Sequence, residues 1–175
     1  MRRDVKLFFA VCAASVLLLS LFGMGAWRAG YRYNDTASFP VGIWRLSPGQ
    51  PQKGDLVFFR PPEDNPTIRW GREVGILQWQ FGASTTMIKR IVAVPGDHIE
   101  IAGTVSVNGK ELKNSHVYRH DQAGRAIPAV AGSGVVPEGK VWLMSDYAAM
   151  SFDSRYFGPV DKSAILGLAH PVFTW

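Results

Sequence analysis

Taken as a pattern of apolar and polar positions, the chain divides into one long apolar run followed by many short ones. Leu7 to Trp27 contains no charged side chain, and a helix of 21 residues rises about 31 Å, close to the hydrocarbon thickness of a bilayer. This predicts a transmembrane anchor over 7–27, preceded by a short segment at 1–6. A cleaved secretory signal is the rival reading. Its apolar stretch should span only about 7–15 residues and end on a small-x-small site, which "GMGAW" does not supply. Arg2, Arg3 and Lys6 precede the span while Arg28 and Arg32 follow it. The positive-inside rule therefore favours a cytoplasmic N-terminus and an exported body over 28–175.

Beyond residue 30 the periodicity is that of strands. "VGIWRL", "LVFFR", "MIKRIVAVPGD", "KVWLMSD" and "AILGLAHPVFTW" are short apolar runs, separated by Pro- and Gly-rich stretches such as "SPGQPQKGD". "IEIAGTVSVNGKEL" alternates and carries Asn108-Gly109, the strongest short hairpin signal. Only "TIRWGREVGIL" has the spacing of a short helix. Short strands with turn chemistry between them predict a mainly β fold, an antiparallel barrel or sandwich behind one N-terminal helix. The Gly-rich, more polar stretch at about 102–134 reads as a small inserted subdomain.

Charge and composition narrow the function. The net charge is +5, of which the body beyond residue 27 carries sixteen basic against thirteen acidic side chains. No clustered basic stripe marks a nucleic-acid footprint. Cys12, the only cysteine, lies inside the apolar span, so the fold must stand without an intrachain disulfide. His98, His116, His120 and His170 have no companion cysteines or carboxylates at metal-ligand spacing. Neither a metal nor a cofactor is expected.

Lys89 and Arg90 stand in the middle of an apolar strand. Alternation puts Met87, Lys89, Ile91 and Ala93 on one face and Ile88, Arg90, Val92 and Val94 on the other. Arginine stays charged and needs a carboxylate or solvent. Lysine has a second option, because desolvation lowers its pKa until a neutral amine, a general base, exists at working pH. Residue types alone leave two readings open for Lys89: such a base, or a lysine snorkelling to the surface. A third stretch, "SDYAAMSFDSRYFGPV" from Ser145 to Val160, crowds hydroxyls, carboxylates and Arg155 into a short strand-ending loop. Asp153 and Arg155 are natural partners there, and Ser151 can hydrogen-bond an amine. The first polar stretch after the span, "NDTASFPVGIWR", taken alone, reads first as a linker turn.

Taken in order, "TASFPVGIW", "MIKRIVAVPGD" and "SFDSRYFGPV" resemble the three main motifs of type I signal peptidases. The "SFPVGIW" form and the single anchor resemble the TraF-type conjugative-transfer branch. The resemblance spans most of residues 34–170. It implies an antiparallel β fold tethered to the bacterial plasma membrane by a single pass, with its catalytic domain on the extracytoplasmic side. It implies a serine endopeptidase acting on a membrane-held precursor, pilin-like or otherwise exported, with the lipid bilayer as the other partner. Residue by residue, Ser38 becomes the nucleophile, Lys89 the general base and Ser151 the hydroxyl that orients the lysine. Asp153 and Arg155 become a structural ion pair, with Arg90 as further support, and Thr36 a helper of the oxyanion hole. Phe39, Met87 and Ile88 are candidates for the substrate pocket. Ser145 departs from the family's glycine, and Tyr147 from its asparagine.

Three other readings accompany this one: a housekeeping signal peptidase of broad specificity, a non-enzymatic assembly subunit of pilin type, and a repressor-type Ser-Lys autoprotease. Pilins carry their cleavage signal before the apolar helix and have no use for a lysine in a β strand. Repressor autoproteases are soluble and bind DNA. Trp70, Trp79 and Phe81 raise a separate choice between packing on the β body and dipping into the bilayer interface, with Arg69 and Arg72 on lipid phosphates.

Overall fold

The computed structural model of the chain describes residues 3–77, 86–128 and 132–175. It divides into two units, 1–32 and 33–175. The first is dominated by α1 (Arg3–Arg28), within which Asp4–Arg28 has a mean hydropathy of 2.4 and is long and apolar enough to cross a membrane. Asp4 in the first turn and Arg28 in the last complement the helix dipole. Just past the helix, the Arg32 guanidinium lies 3.4 Å over the Trp27 ring and donates to the Trp27 carbonyl.

The second unit is built on antiparallel β-sheet. Its strands are β1 (Tyr31–Asn34), β2 (Gly42–Ser47), β3 (Leu56–Phe59), β4 (Met87–Ala93), β5 (His98–Ile101), β6 (Val105–Val107), β7 (Lys110–Glu111), β8 (Gly134–Val135), β9 (Lys140–Met144), β10 (Val160–Asp161) and β11 (Ile165–Thr174). Seven of them form one sheet in the order β1-β2-β11-β3-β4-β9-β10, and β7-β6-β5-β8 form a second. β11 is long enough to pair with β2 along one stretch and β3 along another, with a register shift between Ile165 and Gly167. Gly167 is required there, since a Cβ would stand 2.5 Å from the Ser47 carbonyl oxygen. The Asn108-Gly109 turn joins β6 to β7 with both residues at positive φ, 51° and 79°, as a two-residue hairpin turn needs.

Both faces of the large sheet are covered, which explains why β4 is apolar on both sides. Val57, Phe59, Ile91 and Leu143 pack on one face with Ile68, Phe152, Tyr156 and Phe157. Phe58 and Ile88, one residue out of phase, pack on the other with Phe39, Trp44 and Ala169. The short helix expected from "TIRWGREVGIL" is α2 (Pro66–Glu73). Asn65 caps it, accepting from the Thr67 and Ile68 amides while donating to the Phe157 carbonyl 2.9 Å away. Trp70 on this helix is partly buried and packs against the Phe152 ring, so for this residue packing on the β body is the observed role. Arg72 pairs with Glu63. Trp79 and Phe81 lie outside the described residues. The "SFDSRYF" stretch, expected as a loop, contains one helical turn, α3 (Ser154–Phe157), because the Asp153 carboxylate caps the Arg155 amide.

Candidate active site

Strand pairing carries Lys89 into the core. It sits opposite Val57 of β3, between Met87 and Ile91 on its own face, and is 1% exposed. Burial pushes the ammonium pKa down from 10.5 to about 8; Asp153 opposes this shift and Arg155 adds to it. No hydrogen bond or ion pair with a described residue satisfies the amine. Its neighbour Arg90, on the other face, bonds the Asp146 carboxylate at 2.9 Å and the Gly54 carbonyl at 2.6 Å.

Ser38 lies in the loop between β1 and β2, where no ladder supplies hydrogen bonds. The buried side chain of Asn34 organises that loop instead. Its amide donates to the carbonyls of Thr36, Phe39 and Pro40 at 3.0–3.1 Å. This fixes its carbonyl oxygen toward Thr36, whose hydroxyl donates to it at 2.9 Å. A hydroxyl has one proton. With that of Thr36 committed to Asn34, the 3.0 Å contact between Thr36 Oγ1 and Ser38 Oγ has Ser38 donating. The nucleophile candidate is held by its own proton, and no described residue donates to its oxygen.

The loop after β9 closes the site. Ser151 is 4% exposed and its hydroxyl is buried with no hydrogen-bond partner among the described residues. Asp153 and Arg155 form an ion pair that is 0% exposed on both sides. Arg155 Nε donates to Asp153 Oδ1 at 2.8 Å and a terminal nitrogen to Oδ2 at 3.0 Å. The other terminal nitrogen shares its two N–H groups among the carbonyls of Asn114, His116 and Ala149 at 2.8–3.0 Å, and the first also reaches the Ser145 carbonyl at 3.4 Å. Asp153 Oδ2 also accepts from the Ser145 amide.

Ser38, Lys89 and Ser151 line one cavity of about 470 Å³, with Met87, Ile88 and Phe58 among its apolar walls. The cavity is large enough for a peptide segment, and its walls include Ser38 and Lys89, whose pKa burial lowers to about 8. Met87 and Ile88 line this cavity, but Phe39, also expected at a substrate pocket, does not. Its ring is 3% exposed, edge-on to Trp44 and stacked on Tyr147, which draw it into the core. Two further expectations need correction. The Ser151–Lys89 hydrogen bond is not formed, and Thr36 gives its proton to Asn34 rather than to the cavity.

Asn34 and Ser145 escaped the sequence reading. Asn34 carried a weak signal, since a short amide two residues before a polar loop readily caps local backbone. Ser145 carried a better one as a departure from the family glycine.

Residues 2–175 match the family model described as signal peptidase, peptidase S26. The conjugal transfer protein TraF of Agrobacterium fabrum is 43% identical over 152 residues, covering 83% of this chain and 84% of that protein. The plasmid transfer protein TraF of Escherichia coli is 36% identical over 181 aligned positions, covering 100% of each. A probable signal peptidase I-1 of Synechocystis is 32% identical over 121 residues, covering 68% of this chain and 53% of that protein.

Proposed function

The chain belongs to the signal peptidase, peptidase S26, family, and we propose that it is a membrane-anchored serine endopeptidase with Ser38 as nucleophile and Lys89 as general base. The substrate is a membrane-held exported precursor of the conjugative-transfer or pilin type, from which the enzyme removes a leader peptide. α1 anchors the chain in the bacterial plasma membrane with its N-terminus cytoplasmic, so that the β body works on the far side.

The observation that carries this reading is the presence of Ser38 and fully buried Lys89 in the walls of one cavity, with the lysine pKa near 8. A serine hydroxyl is a weak nucleophile until a base takes its proton. Ser38 Oγ turns from Thr36 and attacks the scissile carbonyl carbon while its proton passes to the neutral Lys89 amine. The resulting ammonium protonates the leaving amine as the C–N bond breaks, leaving Ser38 acylated. Water then attacks the ester, Lys89 again takes the proton and returns it to Ser38 Oγ as the new carboxyl end departs. Serine–lysine pairing is a known variant of triad logic. A positive ammonium in an apolar wall is costly, and that cost favours giving the proton up.

Similarity across the whole chain to plasmid-transfer proteins supports a transfer-specific substrate, whereas the signal peptidase I match is shorter. That second match keeps a broad-specificity signal peptidase as the alternative. The test is accumulation of uncut precursor. Ser38→Ala and Lys89→Arg should both abolish processing, since arginine keeps the charge but cannot deprotonate. Substantial cleavage by folded Lys89→Arg would remove the general-base role.

A further inference from the structure

We propose that Ser145 is a positioning residue for the nucleophile: its side chain ties the main chain at Ser38 to the buried ion pair behind the site. The inference rests on Ser38 being the nucleophile. Ser145 follows the last residue of β9, Met144, which pairs with Arg90 on the strand that carries Lys89. It is 1% exposed. Its hydroxyl donates to the Ser38 carbonyl oxygen at 2.6 Å, a contact spanning 107 positions of sequence. The same oxygen accepts from the Tyr147 and Ala148 amides at 3.1 and 3.0 Å. One proton and two lone pairs are all that a hydroxyl offers, so its bonding capacity is filled.

The main chain of Ser145 is fixed just as fully. Its amide donates to Asp153 Oδ2 at 3.1 Å, and its carbonyl accepts from Arg155 at 3.4 Å. Ser145 therefore has a mechanical path on each side: ion pair to main chain, side chain to Ser38. Among the described residues no other hydrogen bond holds the Ser38 carbonyl, because the nucleophile loop lies outside every ladder. Fixing that carbonyl sets the backbone torsion that aims the Ser38 side chain, while Thr36 holds the hydroxyl from the other side.

Ser145 touches no reacting atom, and its effect should appear in turnover rather than in binding. Displacing a nucleophile by about 1 Å costs on the order of 100-fold in rate. The experiment measures kcat, KM, Tm and the pH profile of the full chain in detergent on one precursor, well below the melting temperature. Ser145→Ala should lower kcat roughly 10- to 100-fold, with KM changed by less than about twofold. The pH midpoint should stay that of the parent, because Lys89 keeps its surroundings. Ser145→Thr, which restores the hydroxyl, should recover most of the rate. Should Ser145→Ala fail to fold, Ser145→Cys, close in size with a weak donor, should fold and still lose at least fivefold in kcat. Folded Ser145→Ala or Ser145→Cys with parental kcat, and only a lower Tm, would overturn the proposal. So would equal losses in Ser145→Thr and Ser145→Ala at matched stability. Ser38→Ala run in parallel separates the two levels: if it still cleaves, the nucleophile assignment fails first, whatever Ser145 does.

Discussion

Lys89 and Arg155 are both buried cations, at 1% and 0% exposure, yet their surroundings treat them in opposite ways. Every N–H of Arg155 has an acceptor, two of them on the equally buried Asp153 carboxylate. Lys89 has apolar neighbours and no hydrogen bond to a described residue, and Ser151 beside the same cavity is likewise unbonded. Arginine keeps its proton and so must be saturated to be buried at all. Lysine can shed its proton, and an unsaturated site makes it do so. The fold thus spends its hydrogen bonds on the charge that must persist and withholds them from the group that must react.

The largest expected effect lies on the saturated side. Asp153→Ala strands the Arg155 guanidinium in the core, and breaking a buried pair costs about 3–5 kcal/mol. Thermal melting should show a large drop in Tm, with activity falling alongside it. An unchanged Tm with abolished turnover would move Asp153 from scaffold to chemistry.

Lys89→Met should do the reverse, killing activity while stabilising the fold. A pKa lowered from 10.5 to about 8 corresponds to about 3 kcal/mol of destabilisation when both states are protonated. The unfolded chain keeps the Lys89 proton up to about 10.5 and the folded chain only to about 8. Between those values the unfolded state binds more protons, so parental stability should rise with pH. Below about 8 the full penalty applies. Denaturant unfolding across pH 7–10.5 should show that rise in the parent and a smaller one in Lys89→Met. Equal slopes would mean the buried amine is satisfied after all.

How far the sequence foretold this contrast depends on the type of interaction. Alternation in "MIKRIVAV" put Lys89 on an apolar face, and the observed burial follows from sheets packed on both sides. The apolar runs and Asn108-Gly109 gave the longer strands and the hairpin, because period and turn chemistry are local. Two-residue strands such as β8 and β10 are too short to have a period. The Ser145–Ser38 bond joins residues far apart in sequence, and no local pattern encodes it. The direction of Phe39 was misjudged for a similar reason: which side of a loop meets the core is decided by Trp44 and Tyr147, not by its neighbours in the chain.

Smaller effects sharpen the comparison. Ser151→Ala removes a buried hydroxyl that bonds to no described residue, so stability should hold or rise by up to about 1 kcal/mol. If Ser151 orients the lysine once substrate is bound, kcat should fall about tenfold in the same variant. Loss of stability without loss of turnover would make Ser151 an ordinary core residue. The smallest change is expected at Arg90→Ala, whose partner Asp146 is partly exposed, with about 0–1 kcal/mol lost in denaturant unfolding.

The central claim is that Lys89 acts as a neutral amine on Ser38. It is tested most directly by kcat/KM for precursor cleavage, followed from pH 5 to pH 10 with the full chain in detergent. The account expects activity to rise with pH along a single-proton curve whose midpoint lies at about 8, then level off. A midpoint near the ordinary lysine value of about 10.4, or a profile flat across the range, would contradict it.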